Sequence, residues 1–507
     1  MAVSLSRMVL ALSNPLLQAP RQPDYIQKQN PADLETRIKL SATRPLRPVR
    51  AISTDSLASS STATGLQKEL GSEAETEPKD KRTIADSWRQ LQGENNWDGL
   101  LDPMDPLLRH ELLKYGSKVQ ACYDSFEFDP TSKYFGSSRY SKRELYKTLG
   151  MAEIGYDITR YLYVTSNVKV PKFFLKTRWP RVWSTDASWM GYITVSNDKM
   201  TKKLGRRDVC IVWRGTITRL EWLADLSNYL KQLSSEIPCP DPLVRVEAGF
   251  LTIYTDAKKN CQYCGISVRE QVLAEIYKLV NETYPDEELS ITVVGHSLGS
   301  ALALLTAYDV AETVVNRRKN DNRKIPVTAF SFAGPRVGNN RFKQRVEQLG
   351  VKVLRIVNVH DIVPNSPGFL FNENTPSAIM NVVEHFPWGV YTHMGVELEL
   401  DHKNSPFLRP DGDVLCAHNL EGYLHVLNGY HGKGKKFEPA MDRDPALVNK
   451  SSDFLKDELE VMTNWMQNHN KGMVLKNGRY VQIERSMEDH ITENNHYHIQ
   501  KIRTHGP

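Results

Sequence analysis

The chain has 507 residues, 40% of them hydrophobic and 25% charged, a composition typical of a globular protein. Its formal net charge of +5 is carried entirely by residues 1–50, which contain eight Lys or Arg and three Asp or Glu. A nucleic-acid-binding protein would carry its basic excess on the folded part, so that class is excluded, and no apolar run reaches the roughly 20 residues of a membrane-spanning helix.

The first 87 residues lack the pattern of a folded domain and divide into two predicted segments. Residues 1–50 are poor in acidic residues and rich in Arg and Ser, which predicts an organelle transit peptide. The sequence Val49, Arg50, Ala51 resembles a plastid processing site, so we expect import into the plastid, with the mitochondrion as the alternative. Residues 51–87 are polar and are predicted to form a disordered linker.

Residues 88–475 are predicted to form the folded domain, and residues 476–507 a polar C-terminal tail that is disordered or loosely attached. Apolar residues at helical spacing predict a first long helix between Pro106 and Phe126. Runs of strand and helix character then alternate, which predicts an α/β fold with a mostly parallel central sheet and helices on both faces. The predicted strands are Gly191–Ser196, Asp208–Trp213, Ser290–Val294, Thr328–Phe332 and Val351–Val357, and the predicted helices are Arg219–Leu233, Ser267–Thr283, Ser300–Val315 and Asn340–Leu349.

The six cysteines are too few and too scattered for a disulfide framework in a chain of this length. Cys261 and Cys264 form a CxxC pair in a polar connecting segment, and no second pair lies nearby to complete a zinc site. We expect two reduced thiols, with a regulatory or structural disulfide as the alternative.

Ahead of these two thiols in the chain, the segment from Cys210 to Thr216 ends a predicted strand and could supply a backbone N–H to an oxyanion at Thr216. A short amphipathic stretch follows at once. It is read either as a buried core helix or as a lid that covers a site and presents an apolar face to lipid. The lid candidates are Leu220, Trp222, Leu223 and Leu226.

The strongest chemical signal is Gly-x-Ser-x-Gly around Ser297, which follows a buried apolar strand and precedes an Ala- and Leu-rich helix. This layout predicts a sharp turn that exposes a nucleophilic serine hydroxyl at the carboxyl edge of the sheet. The N–H of Leu298 then lies at a helix N-terminus, where it can stabilise an oxyanion. His296, inside the motif, is expected to orient the turn rather than to react.

A serine nucleophile needs a general base that a carboxylate orients, and in this arrangement the acid and then the histidine follow the serine along the chain. Asp361 comes just after a predicted strand and therefore lies at the same edge of the sheet as Ser297. Among the histidines that follow, His418 opens an amphipathic helix after a long loop, so it is the predicted base. His425, two turns further on, is expected to be structural.

Five ordered segments between about residues 120 and 430 together resemble the fungal-type (class 3) lipases. They are Trp213–Thr216, Val246–Phe250, Gly295–Gly299, Phe332–Asn339 and Asp361–Pro364. The resemblance implies the α/β-hydrolase fold, a triad of Ser297, Asp361 and His418, and oxyanion donors at Thr216 and Leu298. The sequence departs from the fungal pattern at Glu247, where those lipases usually have histidine.

The segment Ala417–His425 and the sequences Val448–Ser451 and Asn470–Val474 are most similar to the plant plastid class I phospholipases A1. This similarity implies a hydrolase that removes the sn-1 acyl chain of phospholipids, and often of galactolipids or triacylglycerol, at a membrane or lipid surface. A catalytically inactive lipid-binding protein and an esterase for small soluble esters are the alternatives. The sequence has no HExxH and no His and carboxylate residues at ligand spacing, so neither a metal nor another cofactor is expected. It leaves the oligomeric state open.

Overall fold

The structure, a computed structural model, describes residues 82–165, 183–216, 229–368, 372 and 390–492. Its helices and strands, numbered in chain order, have the following bounds. The helices are α1 Ile84–Leu91, α2 Pro106–Ser125, α3 Leu145–Thr148, α4 Asp198–Leu204, α5 Ala248–Thr255, α6 Val268–Lys278, α7 Leu298–Glu312, α8 Asn340–Gln348, α9 Val414–Ala417 and α10 Leu420–Gly429. The strands are β1 Tyr156–Thr165, β2 Ala187–Ser196, β3 Arg207–Trp213, β4 Leu230–Gln232, β5 Arg245–Glu247, β6 Leu289–His296, β7 Val327–Phe332, β8 Lys352–Asn358, β9 Val396–Leu400, β10 Met473–Lys476 and β11 Arg479–Gln482.

A seven-stranded sheet in the order β1-β2-β3-β6-β7-β8-β9 organises the described residues. The pairs from β3 to β9 are parallel, while β1 and β2 add an antiparallel edge. The five predicted strands and the predicted mostly parallel sheet are confirmed. Strands β1 and β9, at the two edges, were not predicted.

Hydrophobic clusters cover both faces of this sheet. Along β3, Ile211 and Trp213 join the cluster that contains α5, α6 and α7, and Cys210 and Val212 join the cluster that contains α2 and α10. Because successive side chains of a strand point to opposite faces, this division confirms helices on both faces of the sheet.

The region after residue 228 differs from the prediction. A helix was predicted over Arg219–Leu233, but Leu230–Gln232 forms strand β4, which pairs antiparallel with β5. The pairing supplies backbone hydrogen bonds that a helix would have made locally, so the tertiary partner overrides local helix propensity here.

The folded part also extends further than predicted at both ends. Helix α1 begins at Ile84, where the sequence predicted linker up to residue 87, and Thr83 caps it by accepting the Asp86 N–H. At the other end, β10 and β11 form a hairpin, and the segment after it packs against the body of the domain through Tyr163 and His490. Residues 476–492 are therefore attached, in contrast to the loose tail that the sequence predicted.

Candidate active site

The turn between β6 and α7 has the conformation that a nucleophile elbow requires. Ser297 has φ 60° and ψ −129°, a region that residues other than glycine rarely adopt. A Cβ atom at Gly295 would lie 2.2 Å from the Gly299 carbonyl oxygen, and one at Gly299 would lie 2.6 Å from the Trp213 carbonyl oxygen. Both positions of the motif therefore need glycine, because strand, turn and helix approach too closely for a side chain.

Hydrogen bonds hold this turn together and tie it to the neighbouring strand β7. The Ser297 N–H donates to the carbonyl of Phe332 at 3.0 Å, and the Ser300 hydroxyl donates to the carbonyl of Gly295 at 2.7 Å. Leu298 is the first residue of α7, so no carbonyl of that helix can accept its N–H. That N–H is available to an oxyanion beside the Ser297 hydroxyl.

Asp361 lies at the carboxyl end of β8, where the sequence predicted it. It is buried, and its two oxygens accept three hydrogen bonds. Oδ1 accepts the Val363 N–H at 2.9 Å, and Oδ2 accepts from His418 Nδ1 at 2.6 Å and from the Tyr423 hydroxyl at 2.7 Å. The carboxylate is therefore fixed in one orientation toward the imidazole.

His418 follows the short helix α9, which Asp413 caps by accepting the Cys416 N–H at 2.8 Å. With Nδ1 directed at Asp361, the other ring nitrogen, Nε2, is buried and has no hydrogen-bond partner among the described residues. Such a nitrogen is suited to accept a proton from a nearby hydroxyl. His418 and Ser297 line the same cavity.

His425, the alternative base, lies elsewhere. Its Nε2 is 2.8 Å from the Ser405 hydroxyl, and its ring packs between Phe407 and Phe437. Burial lowers its pKa to about 4, so it is neutral at physiological pH. These contacts agree with the structural role that the sequence predicted for it.

A hydrogen-bonded chain joins the loop after β3 to the loop that holds His418. The Gly215 N–H donates to the Tyr123 hydroxyl at 2.8 Å, and that hydroxyl lies 2.8 Å from His296 Nδ1. His296 Nε2 in turn lies 3.0 Å from the carbonyl oxygen of His418. Burial, followed by the neighbouring His418, holds the pKa of His296 well below its usual range, so the neutral ring donates at one nitrogen and accepts at the other.

The loop after β3 is also held by the buried guanidinium of Arg214. That group donates to the Trp189 and Gly215 carbonyls, both at 2.8 Å, and lies over the Phe126 ring. Thr216 follows directly and lines the cavity with Ser297 and His418. The predicted oxyanion residues are thus brought to the predicted nucleophile.

The cavity has a volume of about 810 Å³, and its rim combines apolar and charged side chains. Phe128 and Leu415 are 48% and 44% exposed on this rim. The basic side chains of the described lining are each paired with a carboxylate. The pairs are Arg139 with Glu127, Arg409 with Asp453 and Lys450 with Asp124.

Sequence reasoning did not identify Tyr123, Tyr423 or Asn358 as parts of this site. Tyr423 follows His418 by five residues in a helix that was already singled out, and Asn358 ends the strand before Asp361, so both had a positional signal. The Asn358 side chain donates to the Ala417 carbonyl at 2.9 Å and so supports the His418 loop. The predicted lid residues Leu220, Trp222, Leu223 and Leu226 lie outside the described residues.

Cys261 and Cys264 are not among the described residues that line the cavity. All six cysteines are free thiols, and the Cys264 N–H donates to Cys261 Sγ at 3.2 Å. The hydrogen bond from the Cys264 thiol is the main cause that lowers the pKa of Cys261 to about 6.

In the described part of the chain, no helix is long and apolar enough to cross a membrane.

The sequence of this chain is similar to those of several known proteins. Residues 210–371 match the class 3 lipase family. Phospholipase A1-Igamma2, chloroplastic, from Arabidopsis thaliana is 54% identical over 434 residues, which cover 84% of this chain and 82% of that protein. Galactolipase DONGLE, chloroplastic, from the same plant is 44% identical and covers 67% and 69%. Phospholipase A1 EG1, chloroplastic/mitochondrial, from Oryza sativa subsp. indica is 43% identical and covers 69% and 76%.

Proposed function

Because this chain belongs to the class 3 lipase family, within its plant phospholipase A1 branch, we propose that it is an acyl-lipid hydrolase that works through Ser297, His418 and Asp361. The observation that carries the proposal is the shared cavity, which is lined both by the strained Ser297 turn and by a histidine whose outer nitrogen has no partner in the part of the chain that the structure describes. The related proteins named phospholipase A1 and galactolipase support ester bonds of membrane lipids as the substrate class.

In this proposal, His418 Nε2 takes the proton of the Ser297 hydroxyl as Oγ attacks the ester carbonyl carbon. The N–H groups of Thr216 and Leu298 stabilise the oxyanion of the tetrahedral intermediate. The intermediate collapses to an acyl-enzyme as the protonated imidazole gives its proton to the leaving alcohol, which is the lysolipid. Water then attacks the acyl-enzyme with the same general base, and free fatty acid leaves. Asp361 stabilises the imidazolium throughout and keeps Nδ1 as its hydrogen-bond donor.

The rim of the cavity supports a lipid surface, rather than a small soluble ester, as the source of substrate. Phe128 and Leu415 expose large apolar side chains where an acyl chain would enter, and moving such side chains out of water contributes about 1.5–3 kcal/mol each. Serine at both positions should slow hydrolysis of phosphatidylcholine vesicles at least tenfold and leave a short-chain soluble ester nearly unaffected. Serine at Leu475, an exposed apolar residue on the β10–β11 hairpin, is the matched control. Equal loss on both substrates would contradict a surface-binding role.

The charge of the rim also bears on the head group. Since each basic side chain of the described lining has a carboxylate partner, the rim offers little net attraction for an anionic head group. We propose that galactolipid and phosphatidylcholine are hydrolysed in preference to phosphatidylglycerol, with cleavage at the sn-1 position. A panel of these three lipids with analysis of the lysolipid isomer decides both points, and faster hydrolysis of the anionic lipid would overturn the first.

The nucleophile is tested by Ser297→Ala. This variant should lose hydrolysis by several orders of magnitude, since a triad knockout in the best-studied protease costs on the order of 10⁶ in kcat. The change removes only one hydroxyl, so stability should move by less than about 1 kcal/mol. Binding to lipid vesicles should persist. Activity above about a hundredth of the wild-type rate would refute the serine mechanism. A wild-type protein that binds vesicles without hydrolysing them would favour the lipid-binding alternative.

Relatives named chloroplastic support a plastid location, and one relative named chloroplastic/mitochondrial supports the mitochondrion as the alternative. We propose that residues 1–50 are the transit peptide. A fluorescent reporter fused behind residues 1–60 should accumulate in plastids, and a purely mitochondrial signal would overturn this assignment without affecting the enzymology.

A further inference from the structure

Two histidines and an aspartate meet at the ends of two neighbouring parallel strands. His360 follows β8, and Asp401 and His402 follow β9. His360 Nε2 lies 2.9 Å from Asp401 Oδ1, and the two imidazole rings are 4.8 Å apart between centroids. One potential ligand atom from each of the three residues lies within 4.8 Å of the other two.

We propose that His360, Asp401 and His402 bind a zinc ion. Two imidazoles with one carboxylate are a ligand set that Zn²⁺ prefers, and water can complete a tetrahedron. Bond lengths of about 2.0–2.2 Å in that geometry separate neighbouring ligand atoms by about 3.4 Å. The closest separation, 2.9 Å, and the upper bound, 4.8 Å, bracket this value, so small side-chain rotations would complete the site.

The surroundings of the three side chains give a metal ion a route from solvent and hold one of the ligands in a fixed orientation. The His402 side chain is 2% exposed, packs against the Phe454 ring and contacts the Asn358 amide at 3.1 Å through Nδ1. A histidine that outer contacts hold in one orientation loses little freedom when it binds metal. The His360 and Asp401 side chains are 32% and 37% exposed, which leaves a route for the ion.

The site would act on the fold rather than on substrate. His360 precedes Asp361 in the chain, but the Asp361 carboxylate faces His418 and not the cluster. Asn358 contacts His402 on one side and the Ala417 carbonyl on the other. A bound ion would therefore cross-link the loops after β8 and β9 and steady the support of the His418 loop. Its effect on hydrolysis is secondary, so metal binding itself is the measurement.

The experiment uses the full chain without a histidine tag, stripped of metal by a chelating resin. Calorimetric titration with zinc sulfate should give one saturable site per chain with micromolar or tighter affinity, and zinc should raise the melting temperature. Cobalt(II), which reports coordination through its visible absorption, should show the intense bands of a four-coordinate site. No saturable binding would overturn the proposal.

Variants locate the ion. Asp401→Asn preserves the cap on the Lys403 N–H and removes the ligand charge, and His360→Ala removes an exposed ring, so both are expected to fold. Each should weaken zinc binding at least tenfold. His469→Ala, which removes an exposed histidine outside the cluster, should bind as the wild type does. Binding that survives in the first two variants, or that disappears with Cys261→Ser and Cys264→Ser together, would place the ion elsewhere and refute the site.

Discussion

Tyr423→Phe tests whether the fixed orientation of Asp361 contributes to hydrolysis. The Tyr423 hydroxyl donates to Asp361 Oδ2 at 2.7 Å and accepts the Asn358 N–H at 3.0 Å, in a fully buried position. The substitution keeps the ring and its packing and removes only these two hydrogen bonds. Tyr423 acts through Asp361 and His418, so it is a positioning residue in the proposed mechanism.

The expected losses of stability and of kcat follow from the groups that Tyr423→Phe leaves without a hydrogen-bond partner. Loss of a hydrogen bond to a carboxylate costs about 1.5–3 kcal/mol, and a buried N–H without an acceptor costs about 1–3 kcal/mol, so stability should fall by about 2.5–6 kcal/mol. Complete loss of the acid's function costs about 10⁴ in kcat in the serine proteases. Asp361 keeps the Val363 N–H and the His418 ring, so kcat should fall by a smaller factor, roughly 10- to 100-fold, with KM nearly unchanged.

Tyr192→Phe is the matched control for Tyr423→Phe. The Tyr192 hydroxyl is also buried, donates to the Lys118 carbonyl at 2.8 Å and accepts from the Tyr146 hydroxyl at 3.2 Å. Both variants should lose similar stability in thermal melts, but only Tyr423→Phe should lose kcat on a monomeric short-chain ester assayed well below the melting temperature. Full kcat in Tyr423→Phe, or an equal loss in Tyr192→Phe, would refute the positioning role.

Three further variants test the turn, the base and a buried acid. Ser297→Gly should be inactive but more stable than Ser297→Ala by about 1 kcal/mol in denaturant unfolding. Glycine relieves about 1–3 kcal/mol of backbone strain, which exceeds its entropy cost of about 0.5–1 kcal/mol. A glycine variant less stable than the alanine variant would contradict the strain. His418→Ala should match the activity loss of Ser297→Ala, while His425→Ala should cost stability and keep kcat; the reverse result would reassign the base. Burial raises the pKa of Glu247 from 4.5 to about 7, so the folded state binds this proton more tightly than the unfolded state does. The protein therefore loses about 3 kcal/mol of stability as pH rises from about 4.5 through 7. Glu247→Gln keeps the cap on the Phe250 N–H and should remove that part of the pH dependence, measured by denaturant unfolding at pH 5 and 8.

The strained turn at Ser297, the proposed nucleophile, could be predicted from sequence because every determinant of the turn is local. A buried strand, two glycines and a helix follow one another between Leu289 and Glu312, and each imposes its own pattern on the residues. The edge strands gave weaker signals. In β1 the polar residues Asp157, Thr159 and Arg160 interrupt any alternation, whereas Val396–Leu400 alternates clearly but is only five residues long.

The supports of the site could not be predicted in this way. Tyr123 contacts His296 across 173 residues of sequence, and Tyr423 contacts Asp361 across 62. Such pairs have no period and no spacing, because the fold alone brings their elements together. A pattern can therefore identify a residue that reacts, through the turn or strand end that presents it, but not the hydroxyl that fixes its orientation.

Contacts between distant parts of the chain also join the loop that carries Thr216 to the loop that carries His418. Gly215, Tyr123, His296 and His418 form a continuous series of contacts between the two loops, and each of the four lies on a different segment of the fold. Movement of one loop relative to the other would break one of these hydrogen bonds, of which the one between His296 and the His418 carbonyl is buried. A buried group left without a partner costs about 1–3 kcal/mol. In the proposed mechanism, these contacts couple the geometry for proton transfer to the geometry for oxyanion stabilisation before substrate binds, so that less reorganisation is left for the reaction itself.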